Sequence, residues 1–178
     1  DIICDGDNVT FTGTGADIYK FYIDGVAQTA YSSTSTFSLS TLVDGQIISV
    51  LGKDTITECE KAGNVDITMT VNPNPIPFMA NSDADNVICD GDSVTFTGSV
   101  ATEFEFFVNG NSVQGPSTTA TYSSTSLVNG DNVTMIGYNL GCGTLSVDNY
   151  SLIVNPIPNV TLTNSTGTTI CENDNVTF

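Results

Sequence analysis

The sequence predicts an all-β protein made of tandem antiparallel β-sandwich domains. Three observations support this fold class: a motif that ends in Val-Thr-Phe recurs along the chain, short stretches alternate apolar and polar residues, and turn-forming dipeptides separate these stretches. Short strands with turn signals about every 8–12 residues are typical of β-sandwiches. No stretch has the periodicity of an amphipathic helix.

The recurring motif defines the length of one domain. ICDGDNVTFTG at residues 3–13 returns as ICDGDSVTFTG at 88–98 and as ICENDNVTF at 170–178. A unit of about 83 residues has the size of a whole small domain, whereas solenoid turns span about 20–50 residues.

These repeats predict the domain boundaries. We expect a first sandwich over residues 1–75 that lacks part of its first strand, a second over 76–158, and the start of a third over 159–178. Because the chain begins inside one repeat and ends inside another, we interpret it as a window on a longer array.

Each repeat opens with a half-buried strand and a hairpin. The VTFT stretches beginning at Val9 and Val94 alternate apolar and polar side chains, which predicts strands with one face in the core. FYIDG at 21–25 and FFVNG at 106–110 predict a further strand and a tight turn, since Asp-Gly and Asn-Gly adopt the positive φ angles of hairpins.

The remainder of each repeat follows the same pattern. Strands rich in serine and threonine are predicted at 36–41 and 121–126, followed by strands with inward-facing Ile48 or Val133. The next strand of the first repeat is expected to bury Val65 and the apolar residues after it. It ends at a proline cluster, as does its counterpart in the second repeat, because proline cannot donate to a β-ladder.

Charge and composition exclude several functions. The formal net charge is −17, from 20 acidic residues against three lysines, and histidine is absent. Three separated lysines cannot form the basic patch of a nucleic-acid-binding protein, and no segment is apolar enough to insert into a membrane. Without histidine or another convergent acid–base set, we predict that the chain is not an enzyme and needs no cofactor.

The five cysteines follow the repeat. Each complete unit has one before its VTF strand and one near its last hairpin, which predicts the pairs Cys4–Cys59 and Cys89–Cys142 and an oxidising compartment. Cys171 would pair within the third unit. The start of the second strand and the last hairpin lie at opposite ends of such a sandwich, so a bridge between neighbours, Cys4–Cys142, stays open as the alternative.

Clustered aspartates allow a second alternative, a weak inter-domain calcium site. Asp83, Asp85, Asp90 and Asp92 supply oxygen ligands close together in sequence. They lack the spacing and the closing glutamate of a calcium loop, so a polar turn before a strand is the favoured interpretation.

The combination of ICDGDxVTFTG, FYIDG or FFVNG, a late cysteine and VNPxP resembles the Ig-like and PKD-like repeats of giant cell-surface adhesins of Bacteroidota, the SprB-like class of gliding adhesins. The resemblance covers essentially the whole chain. It implies export by the type IX route, anchorage at the outer cell surface, and a structural or adhesive stalk without catalytic residues. The implied partners are neighbouring repeats of the same chain, with surface glycans or other cells contacted by parts outside this segment.

The same resemblance implies O-glycosylation at Asp-Ser/Thr-apolar sequences, which Thr55 and Ser93 match. The alternative function is a non-catalytic spacer or a carbohydrate-binding module of a secreted multidomain enzyme. In that alternative, the outward-facing aromatic residues Tyr22 and Phe107 would stack on sugar rings.

We predict that the purified chain hydrolyses no ester, peptide or glycoside, because no convergent set of catalytic side chains is present. Assays with chromogenic substrates of the three classes test this expectation. Turnover that survives repurification and disappears on substitution of a single carboxylate would contradict it.

Overall fold

The computed structural model describes residues 2–163, 169–173 and 175, and two consecutive β-sandwich repeats account for its regular structure. All secondary-structure elements among these residues are strands. They include no helix long and apolar enough to cross a membrane. The Val-Thr-Phe stretch at 176–178, in the third repeat, lies outside the described residues.

Nine short strands form the first repeat. They are β1 (Ile2–Cys4), β2 (Val9–Thr12), β3 (Ile18–Ile23), β4 (Val26–Ala27), β5 (Thr36–Leu39), β6 (Ile47–Lys53), β7 (Glu60–Ala62), β8 (Ile67–Thr68) and β9 (Thr70–Asn72).

Ten strands form the second repeat. They are β10 (Phe78–Asn81), β11 (Val87–Cys89), β12 (Val94–Ser99), β13 (Glu103–Val108), β14 (Asn111–Ser117), β15 (Thr121–Ser124), β16 (Asn132–Asn139), β17 (Cys142–Leu145), β18 (Tyr150–Ser151) and β19 (Ile153–Asn155).

The first repeat packs a two-stranded sheet against a larger one. β2 pairs with β5, while β3 lies between β4 and β6, and β6 also pairs with β7 and β8, all antiparallel. Because side chains alternate across a strand, Tyr19, Phe21 and Ile23 of β3 all enter the core, where they meet Phe11 and Leu42. β1 pairs in parallel with β9, which joins the two ends of the repeat.

The second repeat has the same topology with one additional strand. β13 lies between β14 and β16, and β11 pairs in parallel with β19. In the smaller sheet, β12 pairs with β15 on one edge and with β10 on the other. β10 brings Met79 into the core beside Phe96 and Phe106, which are fully buried.

The predicted hairpin turns have the required backbone geometry. Asp24 and Gly25 have φ angles of 49° and 76°, and Asn109 and Gly110 have 52° and 78°. Two successive positive φ angles are the signature of a type I′ turn, whose twist matches that of the flanking strands. The Asp-Gly and Asn-Gly dipeptides therefore fix the register of β3 with β4 and of β13 with β14.

One core assignment from the sequence is wrong. Val65 was expected in the core, but it precedes β8 and its side chain is 66% exposed. The inward-facing set begins only at Ile67, which is half-buried, and continues at Met69, which is 1% exposed. The alternation of the strand does not extend into the loop before it, so apolar character alone placed Val65 incorrectly.

We predict that Gly98→Ala destabilises the second repeat by about 1–3 kcal/mol, because overpacking a closed core displaces its side chains. A Cβ atom at Gly98 would overlap the Phe104 ring and lie 2.5 Å from the Met135 sulfur. Gly115→Ala is the matched control, since a Cβ atom there meets nothing within 4 Å. Urea unfolding measures both variants. Equal stability of the two variants would contradict this packing.

Candidate functional site at the repeat junction

The first half of the junction is the turn that follows β1. Cys4 lies opposite Asn72 of β9, and the Asp5 amide donates to the Asn72 carbonyl over 2.9 Å. The Asp7 carboxylate accepts the Cys4 amide at 2.9 Å, and Gly6 has a φ of 87°. The Cys-Asp-Gly-Asp motif is therefore a closed turn that presents the Cys4 side chain at the end of the first repeat.

The second half is the β16–β17 hairpin of the second repeat. Its two turn residues, Leu140 and Gly141, have φ angles of 51° and 84°. Cys142 follows directly, paired with Asn139, and is 1% exposed. A two-residue turn of this kind holds the cysteine in a fixed position on the hairpin.

A disulfide joins these two halves. Cys4 and Cys142 are bonded with a Cα–Cα distance of 5.6 Å, across 138 residues of sequence. The Asn72 side chain adds a hydrogen bond across the junction, donating to the Leu140 carbonyl at 3.3 Å. The two repeats are therefore cross-linked where the first one ends and the second one begins.

The linker between the repeats is packed rather than loose. The Asn74 side chain donates to the Asp5 carbonyl at 2.8 Å, which ties the linker to the first repeat. Pro77 is buried against the second repeat, where a Cβ atom at Gly137 would come within 2.7 Å of the Pro77 Cβ. Only glycine at position 137 leaves room for this proline.

The favoured disulfide assignment from the sequence, Cys4–Cys59 and Cys89–Cys142, is wrong, and the alternative bridge is present. Cys4 lies beside β9, beyond the end of β6 at which Ile47 pairs with Thr68. Cys59 lies at the opposite end of β6, in the hairpin that follows Lys53. Seven residues of β6 separate the two ends by roughly 20 Å. Disulfides need Cα atoms less than about 7 Å apart, so the two cysteines of one repeat cannot pair.

Cys59 and Cys89 carry exposed free thiols. Cys59 occupies the position in the first repeat that Cys142 has in the second, and Cys89 occupies the position in the second repeat that Cys4 has in the first. Cys89 is held like Cys4, since its amide donates to the Asp92 carboxylate at 3.0 Å and its strand pairs in parallel with β19. Cys59 lies opposite Asp54 as Cys142 lies opposite Asn139.

Three of the four aspartates considered for calcium, Asp83, Asp85 and Asp92, accept backbone amides in turns. Asp83 accepts the backbone amides of Asp85 and Val87, and the Asp92 carboxylate accepts that of Cys89. Within the described ranges, no three of the Asp, Glu and Cys residues are grouped so that they could hold a metal ion. Calcium binding at Asp83, Asp85, Asp90 and Asp92 stays untested.

The two candidate glycosylation residues are both exposed. Thr55 lies in the β6–β7 hairpin, where its hydroxyl donates to the Asp17 carboxylate at 2.9 Å. Hydrogen bonds from the Thr57 and Ile56 amides lower the pKa of the neighbouring Asp54 carboxyl. Ser93 precedes β12. Modification of either residue stays a prediction.

The outward-facing aromatic residues are half-buried and do not form an open platform. The Lys20 ammonium lies 5.4 Å from the centre of the Tyr22 ring, in cation–π range. Phe107 lies on β13 of the other repeat, so the two rings belong to separate sheets. Between them they do not provide the pair of adjacent aromatic surfaces that sugar stacking would use.

Comparison with known proteins identifies the fold. No protein-family model and no curated protein matches the chain. The chain is similar to the fibronectin(III)-like modules of Clostridium thermocellum CbhA, with a TM-score of 0.53, 12% identity, and coverage of 88% of this chain and 90% of that one. It also matches the Ig1–Ig3 ectodomain of mouse nectin-like molecule 4, with a TM-score of 0.38, 14% identity, and coverage of 87% and 66%. The chain thus has a generic Ig- or fibronectin(III)-like fold.

We predict that non-reducing peptide mapping recovers a Cys4–Cys142 cross-linked peptide, with Cys59 and Cys89 alkylated in the same sample. On the chain-entropy model, closing a loop of this length disfavours the fully unfolded chain by about 5 kcal/mol. Recovery of Cys4–Cys59 or Cys89–Cys142 peptides would contradict the junction described above.

Proposed function

We propose that this chain is a structural or adhesive stalk segment of a large secreted cell-surface adhesin or filament. The cross-link between Cys4 and Cys142 is the observation that supports this function most directly. A bond that joins the end of one domain to the start of the next adds little to the core of either domain. It does fix the orientation of one domain relative to the next, which is what a stalk requires.

The cross-link also determines which parts of the chain would bear tension. Force applied at the two ends of the chain passes from Cys4 through the sulfur–sulfur bond to Cys142. The strands and cores that lie between these cysteines in sequence are bypassed. The first repeat would therefore stay folded under loads that would otherwise unfold a small β-domain.

The remaining features fit an extracellular stalk. A disulfide persists in an oxidising compartment, and a net charge of −17 keeps long chains soluble and apart. The resemblance to the surface adhesins of Bacteroidota supports placement outside the cell, with Thr55 and Ser93 as sites for protective glycans. Neighbouring repeats would be the direct partners, and ligand binding would belong to other parts of the protein. The segment itself would be non-catalytic.

Single-molecule pulling tests the mechanical function. Handles attached to the two termini by chemistry that spares cysteine would stretch the oxidised chain and the double variant Cys4→Ser/Cys142→Ser. Opening the bridge frees a loop of 138 residues, which adds about 45–50 nm of extended chain at 3.3–3.6 Å per residue. We expect this additional length only in the double variant or after reduction.

Cys59→Ser/Cys89→Ser is the matched control, because it removes two thiols and leaves the bridge intact. It should behave like the oxidised wild-type chain. Equal unfolded lengths for the oxidised wild type and the Cys4→Ser/Cys142→Ser variant would show that the bridge carries no load, and the stalk proposal would fail.

A further inference from the structure

The first repeat has a groove at the place where the second repeat holds a strand of the linker. The groove has a volume of about 810 Å³ and is lined by Ala16, Tyr19, Val50, Gly52, Cys59 and Gly63, among others. In the second repeat, Ala101 and Gly137 match Ala16 and Gly52, and a Cβ atom at Gly137 would lie 2.7 Å from the Pro77 Cβ and 2.8 Å from that of Ala101. Pro77 leads directly into β10. The groove therefore corresponds to a site that is filled in the second repeat.

The edge of the sheet beside the groove is open as well. Among the described strands, β2 pairs only with β5, whereas its counterpart β12 pairs with both β15 and β10. The Gly13 amide donates toward β5, to the Ser35 carbonyl at 2.7 Å. Since backbone groups alternate along a strand, the Thr10 and Thr12 amides face the open edge. An unpaired edge is a template for an added strand.

The core beneath this edge is less covered than its counterpart. Val9 and Val50 are only half-buried, while the matching residues Val94 and Met135 are fully buried. Met79 of β10 closes the core of the second repeat at 3% exposure. No described residue does so in the first repeat.

We propose that this groove is a docking site for an extended, proline-containing strand of the same chemistry as residues 75–81, delivered by a preceding repeat of the same kind. The strand would pair with β2, place its proline against Gly52, and insert an apolar side chain beside Val9 and Val50.

The position of Cys59 identifies the source of the strand. Cys142 holds in the second repeat the position that Cys59 holds in the first, and its disulfide partner Cys4 belongs to the repeat that precedes it. Cys59 holds the matching position at the groove of the first repeat, as an exposed thiol. A preceding repeat would thus bring both the strand and a cysteine equivalent to Cys4.

One difference between the two sites bears on how the strand is held. In the second repeat, Asp148 accepts the Met79 amide at 3.0 Å, and the Tyr150 hydroxyl donates to the Met79 carbonyl at 2.9 Å. Val65 and Ile67 take these positions in the first repeat. The added strand would therefore be held by the β2 ladder and by apolar contact, and it would cover Val65, which is 66% exposed.

The test is to supply the strand in cis. A copy of residues 75–86 is placed directly before Ile2 in the full chain. Ile2 and Val87 are the first residues of β1 and β11, so the copy precedes β1 as residues 75–86 precede β11. Amide hydrogen exchange is then measured at Thr10 and Thr12. We expect both amides to become strongly protected and the first repeat to unfold at a higher urea concentration.

The matched control carries the same extension with the copied Pro77→Ser and Met79→Asp, which removes the proline and the core side chain. It should leave Thr10 and Thr12 exchanging as in the unextended chain. Unchanged exchange with the native extension, or equal protection by both extensions, would overturn the proposal.

Discussion

A disulfide closes only when two Cα atoms come within about 7 Å, and this limit determines how the repeats are connected. The two cysteines of one repeat lie at opposite ends of a strand roughly 20 Å long. The end of one repeat and the start of the next, in contrast, bring Cys4 and Cys142 to 5.6 Å. The bridge therefore joins the domains, and the Asn72 contact across the junction depends on the same close approach.

The two repeats show what the junction contributes to a domain. Their strand orders agree, and the Asp-Gly and Asn-Gly hairpins match. They differ where the linker enters: the second repeat gains β10, buries Met79 and closes its core, whereas the first leaves an edge and a groove. The linker is thus a structural part of the domain that follows it. In the second repeat, the packed linker strand and the hydrophobic core therefore stabilise each other.

The sequence predicted the fold through local signals. Alternation placed Ile48 and Val133 in the two cores, and dipeptides with positive φ located the hairpins. The favoured cysteine pairing was wrong because it rested on the count of one early and one late cysteine per unit. The distance between two cysteines depends instead on which end of a strand each one occupies. The parallel pairing of β1 with β9 and the insertion of β10 were also missed. The β1–β9 contact joins segments far apart in sequence, and no local pattern encodes either pairing.

The junction should hold the two repeats in one fixed orientation, which residual dipolar couplings measure. Backbone amide couplings from residues 2–72 and 78–155 of the oxidised chain are measured in one weakly aligned sample. Both sets should fit a single alignment tensor in the oxidised chain, and the Cys4→Ser/Cys142→Ser variant should require two. Two tensors of different magnitude in the oxidised chain would contradict this expectation, because the repeats would then move independently despite the bridge.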